Sequence, residues 1–355
     1  MKRFRQLVLA STAMTLTATG AVHALDVVAS VKPVHSLVAG VMEGVGEPDL
    51  LVRGAGSPHT YSMRPSEASM LEGADVVFWV GPNMEMFLAD ALDTLAAGAT
   101  IVELGEADGL VRLAYREGGS FDAHAHDDDD DDAHDDHGHD HDGHDDEEAH
   151  GQDVHGHDRD DDGHGHEETQ GHDDHGHEHA HGAYDMHFWL DPENAKTFVG
   201  AIEAALVEAD RDNAETYAQN ADALRDRLDG LLAETSEAVA GISDRRFVVF
   251  HDAYQYYESR FGVTATGSIT VSPEVMPGAA RIDEIRTQVR DLDVTCVFTE
   301  PQFEPRLIQV VTEGTEARVG VLDPLGSDLE DGPELYFDLI RNMTTSLTDC
   351  LGGEG

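Results

Sequence analysis

Residues 74–80, ADVVFWV, form an unbroken apolar run that stops at Gly81-Pro82. A run of that length, β-branched and aromatic and closed by breakers, reads as a strand buried on both faces. Upstream, Leu25–Val31 (LDVVASV) is a second such strand, and Pro33 opens a helix over Val34–Met42. Asp49–Arg53 (DLLVR) reads as a strand and Ser66–Glu72, after Pro65, as a helix. Downstream, Met84–Leu95 is helical and Thr100–Leu104 extended. Strands alternating with helices at this spacing give βαβ units and a largely parallel sheet. The alternation returns in the second half. Strands fall at Arg246–Phe250 (RFVVF), Val263–Ile269, Val294–Thr299 (VTCVFT) and Ala317–Leu322 (ARVGVL), with helices at Tyr254–Phe261, Arg281–Asp291, Pro305–Glu313 and Glu334–Leu351.

Between the halves, Asp191-Pro192 supplies a cap and a first-turn proline for a helix running to Ala209. From Asp212 a second helix carries Tyr217, Ala221, Leu224, Leu228 and Leu231 on one apolar face and continues to about Val239. The fold class is therefore α/β, with two lobes joined by one long rigid helix and a cleft between them. The expected boundaries are 25–120 for the N-terminal lobe, interrupted by a tract at 121–182 and completed by 183–211. The linking helix takes 212–241 and the C-terminal lobe 242–355.

The tract has a composition of its own. Residues 122–181 hold 17 of the 22 histidines, with 25 acidic residues against one base, Arg159. No apolar run interrupts it, so it cannot bury enough surface to offset its ordering entropy, and a disordered loop is expected. Imidazoles beside carboxylates make it a weak, multivalent metal collector, where a plain acidic spacer would not repeat His-Gly-His. The whole chain carries a formal charge of −50 over 355 residues. About half of that lies outside the tract, which argues against nucleic acid as a partner and suits a cation.

MKRFRQ followed by the apolar Leu7–Val22 reads as a cleavable export signal over 1–24, with small residues at Val22 and Ala24 before the cut. A soluble, exported mature chain is expected. Cys296 and Cys350 are the two cysteines. In an oxidising compartment two lone cysteines pair most simply, whereas zinc ligation would want closer spacing or more thiols.

Three histidines stand outside the tract at the ends of elements. His59 lies in SPHTYSM after the second strand, His187 in DMHFWLDP at the start of a strand-like run (HFWL) that opens a helix, and His251 at the carboxyl end of RFVVF. Ligands of open αβ sheets bind beyond the carboxyl ends of strands, and Asp323 follows a strand too. Three imidazoles with a carboxylate or a water make a tetrahedral zinc site. Singly, each His serves as readily as a cap or a buried ring, and spacing alone leaves their convergence open. Among the remaining positions, His35 reads as structural, Trp79 and Trp189 as lobe core, and Glu85 as a helix-terminus residue. Glu300 stands either behind a ligand or in solvent.

The segments VKPVHSLVAGVMEGVG, SPHTYSMRPSEASMLEGADVVFWVGPNMEMFL, MHFWLDPENA, VFHDAYQYYESRFG, FTEPQF and LDPLG occur in order across nearly all of the chain outside the tract. In that set the chain resembles the cluster A-I solute-binding proteins of metal ABC transporters, most closely the ZnuA-type periplasmic zinc-binding proteins. The resemblance implies two Rossmann-like lobes bridged by a rigid helix, with the metal site in the inter-lobe cleft. It places metal ligands on His59, His187, His251 and, in some members, Asp323, with water in its stead in others. Manganese members typically carry Glu where His251 stands, and the imidazole favours zinc. The family's disulfide is similar to a Cys296–Cys350 pair. The implied function is capture of Zn²⁺, as transported ligand, for an integral-membrane ABC permease, by a monomer that is not an enzyme. The rivals are a zinc buffer or adhesin, a manganese-binding member, and a metallohydrolase, for which no HExxH or GxSxG motif is present.

Overall fold

The structure is a computed structural model that describes residues 25–116, 121, 184–270, 277–303 and 306–353. The expected export signal and, apart from Phe121, the expected tract boundaries up to 183 lie outside the described residues.

The first sheet is built as the apolar runs require. Its strands are β1 (Val27–Ala29), β2 (Asp49–Leu50), β3 (Val76–Trp79) and β4 (Thr100–Glu103), paired in the order β2-β1-β3-β4. All three pairings are parallel. Helices α1 (Lys32–Val41), α2 (Pro65–Gly73) and α3 (Met86–Leu95) make the crossovers. The β3 run is buried at every residue, the pattern of a central strand covered on both faces. The second strand is shorter than the DLLVR run suggested: after Leu50 the chain leaves the sheet, and residues 51–64 are irregular.

The second sheet repeats the plan with β5 (Phe247–His251), β6 (Gly267–Thr270), β7 (Cys296–Thr299) and β8 (Arg318–Val321). Its order is β6-β5-β7-β8, again wholly parallel. In each sheet the strand order reverses direction beside the first strand of its lobe, so the switch point where ligands bind falls between β1 and β3, and between β5 and β7.

Helix α4 (Pro192–Ala209) packs on α1 and on β3 and β4 of the first sheet, and α5 (Ala214–Val239) leads from it to the second sheet. Asp191 caps α4 by accepting from Glu193 N–H, with Pro192 in the first turn. The 26 residues of α5 extend roughly 39 Å and bury Tyr217, Ala221, Leu224, Leu228, Leu231 and Val239 along one stripe. The C-terminal α9 (Leu335–Gly352), which follows α6 (Gln255–Phe261), α7 (Ala279–Asp291) and α8 (Arg306–Thr312), packs on α5 and on α1. One apolar core therefore runs from Val27 and Val76 through Trp189 and Leu228 to Phe247, Tyr336 and Leu347. The lobes share this core rather than hanging from a bare helix. Smaller clusters cover the outer faces of the sheets, one holding Trp79 and one Ile285. Cys296 and Cys350 form a disulfide that ties α9 to β7. Among the described residues no helix is long and apolar enough to cross a membrane.

Candidate metal centre

Three elements bring the candidate histidines together. His251 is the last residue of β5, at the switch point of the second sheet. His187 precedes a 3-10 turn, Phe188–Leu190, where the apolar HFWL run had read as strand-like. The turn is held because Phe188, Trp189 and Leu190 are all buried, Trp189 donating its Nε1–H to Pro324 O at 2.8 Å. His59 lies on the irregular segment after β2.

Each of the three rings offers a nitrogen, and these atoms lie within 4.8 Å of one another. Ring centroids stand 5.4 Å apart for His59–His187, 6.0 Å for His59–His251 and 5.2 Å for His187–His251. The Nε2 atoms of His187 and His251 are 3.4 Å apart. Two ligand nitrogens at zinc's bond length on tetrahedral corners stand about 3.3–3.4 Å apart, so the pair already has the edge length of such a centre. His187 and His251 are buried and His59 is partly exposed.

Carboxylates set the tautomers. His187 Nδ1–H donates to Asp185 Oδ1 at 2.7 Å, and His251 Nδ1–H donates to Glu300 Oε1 at 2.7 Å. With the proton held on Nδ1, the Nε2 lone pair faces the centre, the arrangement that orients imidazole toward a metal. Glu300 is thus buried behind His251 and not in solvent. Burial, then the neighbouring rings, holds the pKa of His59 and His187 well below the ordinary value. Burial is also the largest influence on His251 and opposes its charge, but the charge and hydrogen bond of Glu300 outweigh it and raise the pKa. Burial pushes the Asp185 carboxyl up to about 7, against the His187 amide that stabilises its anion.

Several supporting residues were not foreseen. Asp185 could have been found from its place two residues before His187 in DMH. Arg116 pairs with Asp252, the neighbour of His251, and with Glu258 at 2.7 Å, fixing the chain after His251. Arg260 pairs with Asp191 through two hydrogen bonds of 2.7 and 2.8 Å. These partners are far apart in sequence, and only the fold joins them. Glu85 is more than a helix-terminus residue: it is fully buried at the switch point of the first sheet, accepting from Ser30 Oγ at 2.5 Å and from the amides of Val80 and Gly81. His35 is structural, its Nε2 bonded to Pro48 O.

Asp323 takes a different place. Its carboxylate is not in the three-ring cluster and accepts instead from the amides of Leu325, Gly326 and Ser327 and from Gln302 Nε2. The space at the rings is a cavity of ≈ 10 Å³, lined by His59, His187, His251, Glu300, Gln302 and Phe303 among others. That is room for about one water-sized species.

Two parallel αβ lobes with an ion-sized, three-imidazole centre at their strand ends define a metal-capturing solute-binding protein. The model of the family "Zinc-uptake complex component A periplasmic" (ZnuA) matches residues 27–350. The high-affinity zinc uptake system protein ZnuA of Brucella abortus (strain 2308) is 51% identical over 325 residues, covering 92% of this chain and 91% of that one. Its counterpart in Paracoccus denitrificans (strain Pd 1222) is 36% identical over 355 residues, covering 100% of both chains. A zinc-bound crystal structure of a ZnuA deletion mutant superimposes with a TM-score of 0.67 at 19% identity, covering 94% of this chain and 100% of the other. The chain belongs to the ZnuA family.

Proposed function

We propose that this protein is a periplasmic zinc-binding protein that captures one Zn²⁺ ion in the inter-lobe cleft and delivers it to the permease of an ABC zinc importer. His59, His187 and His251 are its ligands. The observation that carries the reading is the three-ring cluster, with a carboxylate behind each of the two buried rings. Neutral imidazoles on a tetrahedral edge suit zinc, whereas manganese prefers a larger set of oxygen ligands. Asp323, the carboxylate that the family pattern offers as a fourth ligand, stays on the backbone amides of its own turn, and the fourth position goes to solvent.

The protein acts as a monomer that carries its ion rather than transforming a substrate, and the cavity has room for an ion and little else. The His/Asp-rich tract gathers zinc at weak sites and raises the local supply to the tight site, without supplying primary ligands. A competitive zinc titration of the mature chain beside His59→Ala tests the reading. One tight site that is lost in the variant supports it. Many similar weak sites and no dominant one would mark a zinc buffer instead.

A further inference from the structure

Gln302 lines the metal cavity, and its Oε1 is buried with no hydrogen-bond partner among the described residues. Its amide orientation follows from its neighbours. Gln302 Nε2 lies 2.9 Å from Asp323 Oδ1 and 2.8 Å from Ser327 Oγ. A carboxylate can only accept, so the NH₂ group faces Asp323 and the carbonyl oxygen is turned away from it. Asp323 is itself anchored by three amides of its turn, at 3.1, 3.0 and 2.5 Å. The turn is anchored in its own right. Pro324 O holds Trp189, and Ser327 O and Leu329 O accept from the buried Lys32. A buried carbonyl aimed by so fixed a frame has a cost unless some species brings it a donor.

We infer that Gln302 Oε1 accepts a hydrogen bond from the water that completes the four-coordinate shell of the bound zinc ion, and that Asp323 is the positioning residue that aims it. The inference rests on the reading that zinc binds the three rings. Metal-bound water is a strong donor, and a neutral amide oxygen accepts from it without adding charge to a cavity that already has Glu300 and Asp185 behind its ligands. Direct ligation by Asp323 would strip three amides and Gln302 of their acceptor. Direct ligation by Gln302 would put a neutral amide oxygen on an ion that takes nitrogen, thiolate or carboxylate.

The test uses the mature full-length chain, with Gln302→Met, Asp323→Asn and the double variant beside wild type and His59→Ala. Zinc affinity is read by chelator competition, the absorption spectrum of the Co²⁺-loaded protein reports the fourth position, and melting of the zinc-free chains checks folding. Gln302→Met keeps the length and removes the acceptor, so zinc should bind on the order of tenfold more weakly, with shifted Co²⁺ bands. Asp323→Asn should weaken binding alone and add little to Gln302→Met, because both act along one line. Wild-type affinity and an unchanged spectrum in Gln302→Met overturn the inference while leaving the zinc reading intact. Equal binding by wild type and His59→Ala overturns both. A zinc-soaked crystal structure is independent of how the variants fold. It should show an oxygen on zinc within hydrogen-bond reach of Gln302 Oε1, and an Asp323 carboxylate on the metal overturns the inference.

Discussion

Lowering the pH should weaken zinc binding by one proton, not three. Three independent imidazoles with ordinary pKa near ~6.5 would each have to lose a proton below that value, so log Kd would climb about three units for every pH unit. The centre is not built that way. Burial holds His59 and His187 well below the ordinary value, so both stay neutral as the solution turns mildly acidic. Only His251 is raised, through Glu300. Its Nε2 stands 3.4 Å from that of His187, close enough for one proton to be shared between the two nitrogens where the cation will sit. The sign follows directly. Above the His251 pKa no ring carries a displaceable proton and the rings add no pH dependence; Asp185, pushed up by burial to about 7, contributes at most one further proton in the same window. Below it, zinc displaces one proton and Kd rises about tenfold per pH unit, or about 1.4 kcal/mol. Two units below, the loss is about a hundredfold, against about a millionfold for three independent rings. Chelator competition from pH 8 to 5 gives the slope, and calorimetry in buffers of differing ionisation enthalpy counts the protons released. A slope near three, or affinity flat to pH 5, would refute the assignment of the proton to His251.

The remaining predictions concern the supports of the centre. Glu300→Gln and Asp185→Asn should each weaken zinc binding by about 10–100-fold in the same titration, the usual cost of removing a carboxylate behind a ligand. Arg116→Met leaves Asp252 and Glu258 buried without their counter-charge, so denaturant unfolding should show a loss of about 3 kcal/mol. Replacing Cys296 and Cys350 together by Ser opens a closure of 54 residues, which the chain-entropy model values at about 4 kcal/mol in the same assay. Deleting residues 122–181 should leave the tight site and remove the weak ones, and loss of the tight site would mean that the tract holds primary ligands.

Periodicity carried the fold because the central strands β3 and β5 are apolar at nearly every position and the long α5 shows a clean stripe. The same local signal misread HFWL. Three consecutive buried apolar residues look alike in a strand and in a 3-10 turn, and the tertiary bond from Trp189 to Pro324 decides between them. His59 and His251 were legible as positions following strands, His187 only as the start of an apolar run, and the family pattern joined the three. Their supports were harder. Glu300 and Asp185 carry no periodic signal, and the pairs Arg116–Asp252 and Gln302–Asp323 exist only once distant segments meet. Nor could the sequence show what Asp323 does locally: its carboxylate accepts from the amides of Leu325, Gly326 and Ser327 in the turn that follows it.

Capture and release must work through unequal ligands. His187 and His251 sit on rigid supports, one before a buried turn and one at the end of a central strand, each locked by a carboxylate at 2.7 Å. His59 is the more exposed ring and rides on the irregular segment between β2 and α2. The shared core, with α1, α5 and α9 packed together across the lobes, resists a wide hinge opening, because separating the lobes would expose a continuous apolar interface. The low-cost motion is therefore local: the His59 segment swings while the two-ring edge stays formed. Zinc would then land first on His187 and His251 and be closed in by His59, and leave in the reverse order. In a chain lacking residues 122–181, so that the tract's weak sites do not contribute, His59→Ala should accordingly retain weak, fast-exchanging zinc binding, whereas His251→Ala should lose even that. Stopped-flow release into excess chelator separates the two. Equal and complete loss in both variants would mean that the three rings act as one rigid unit.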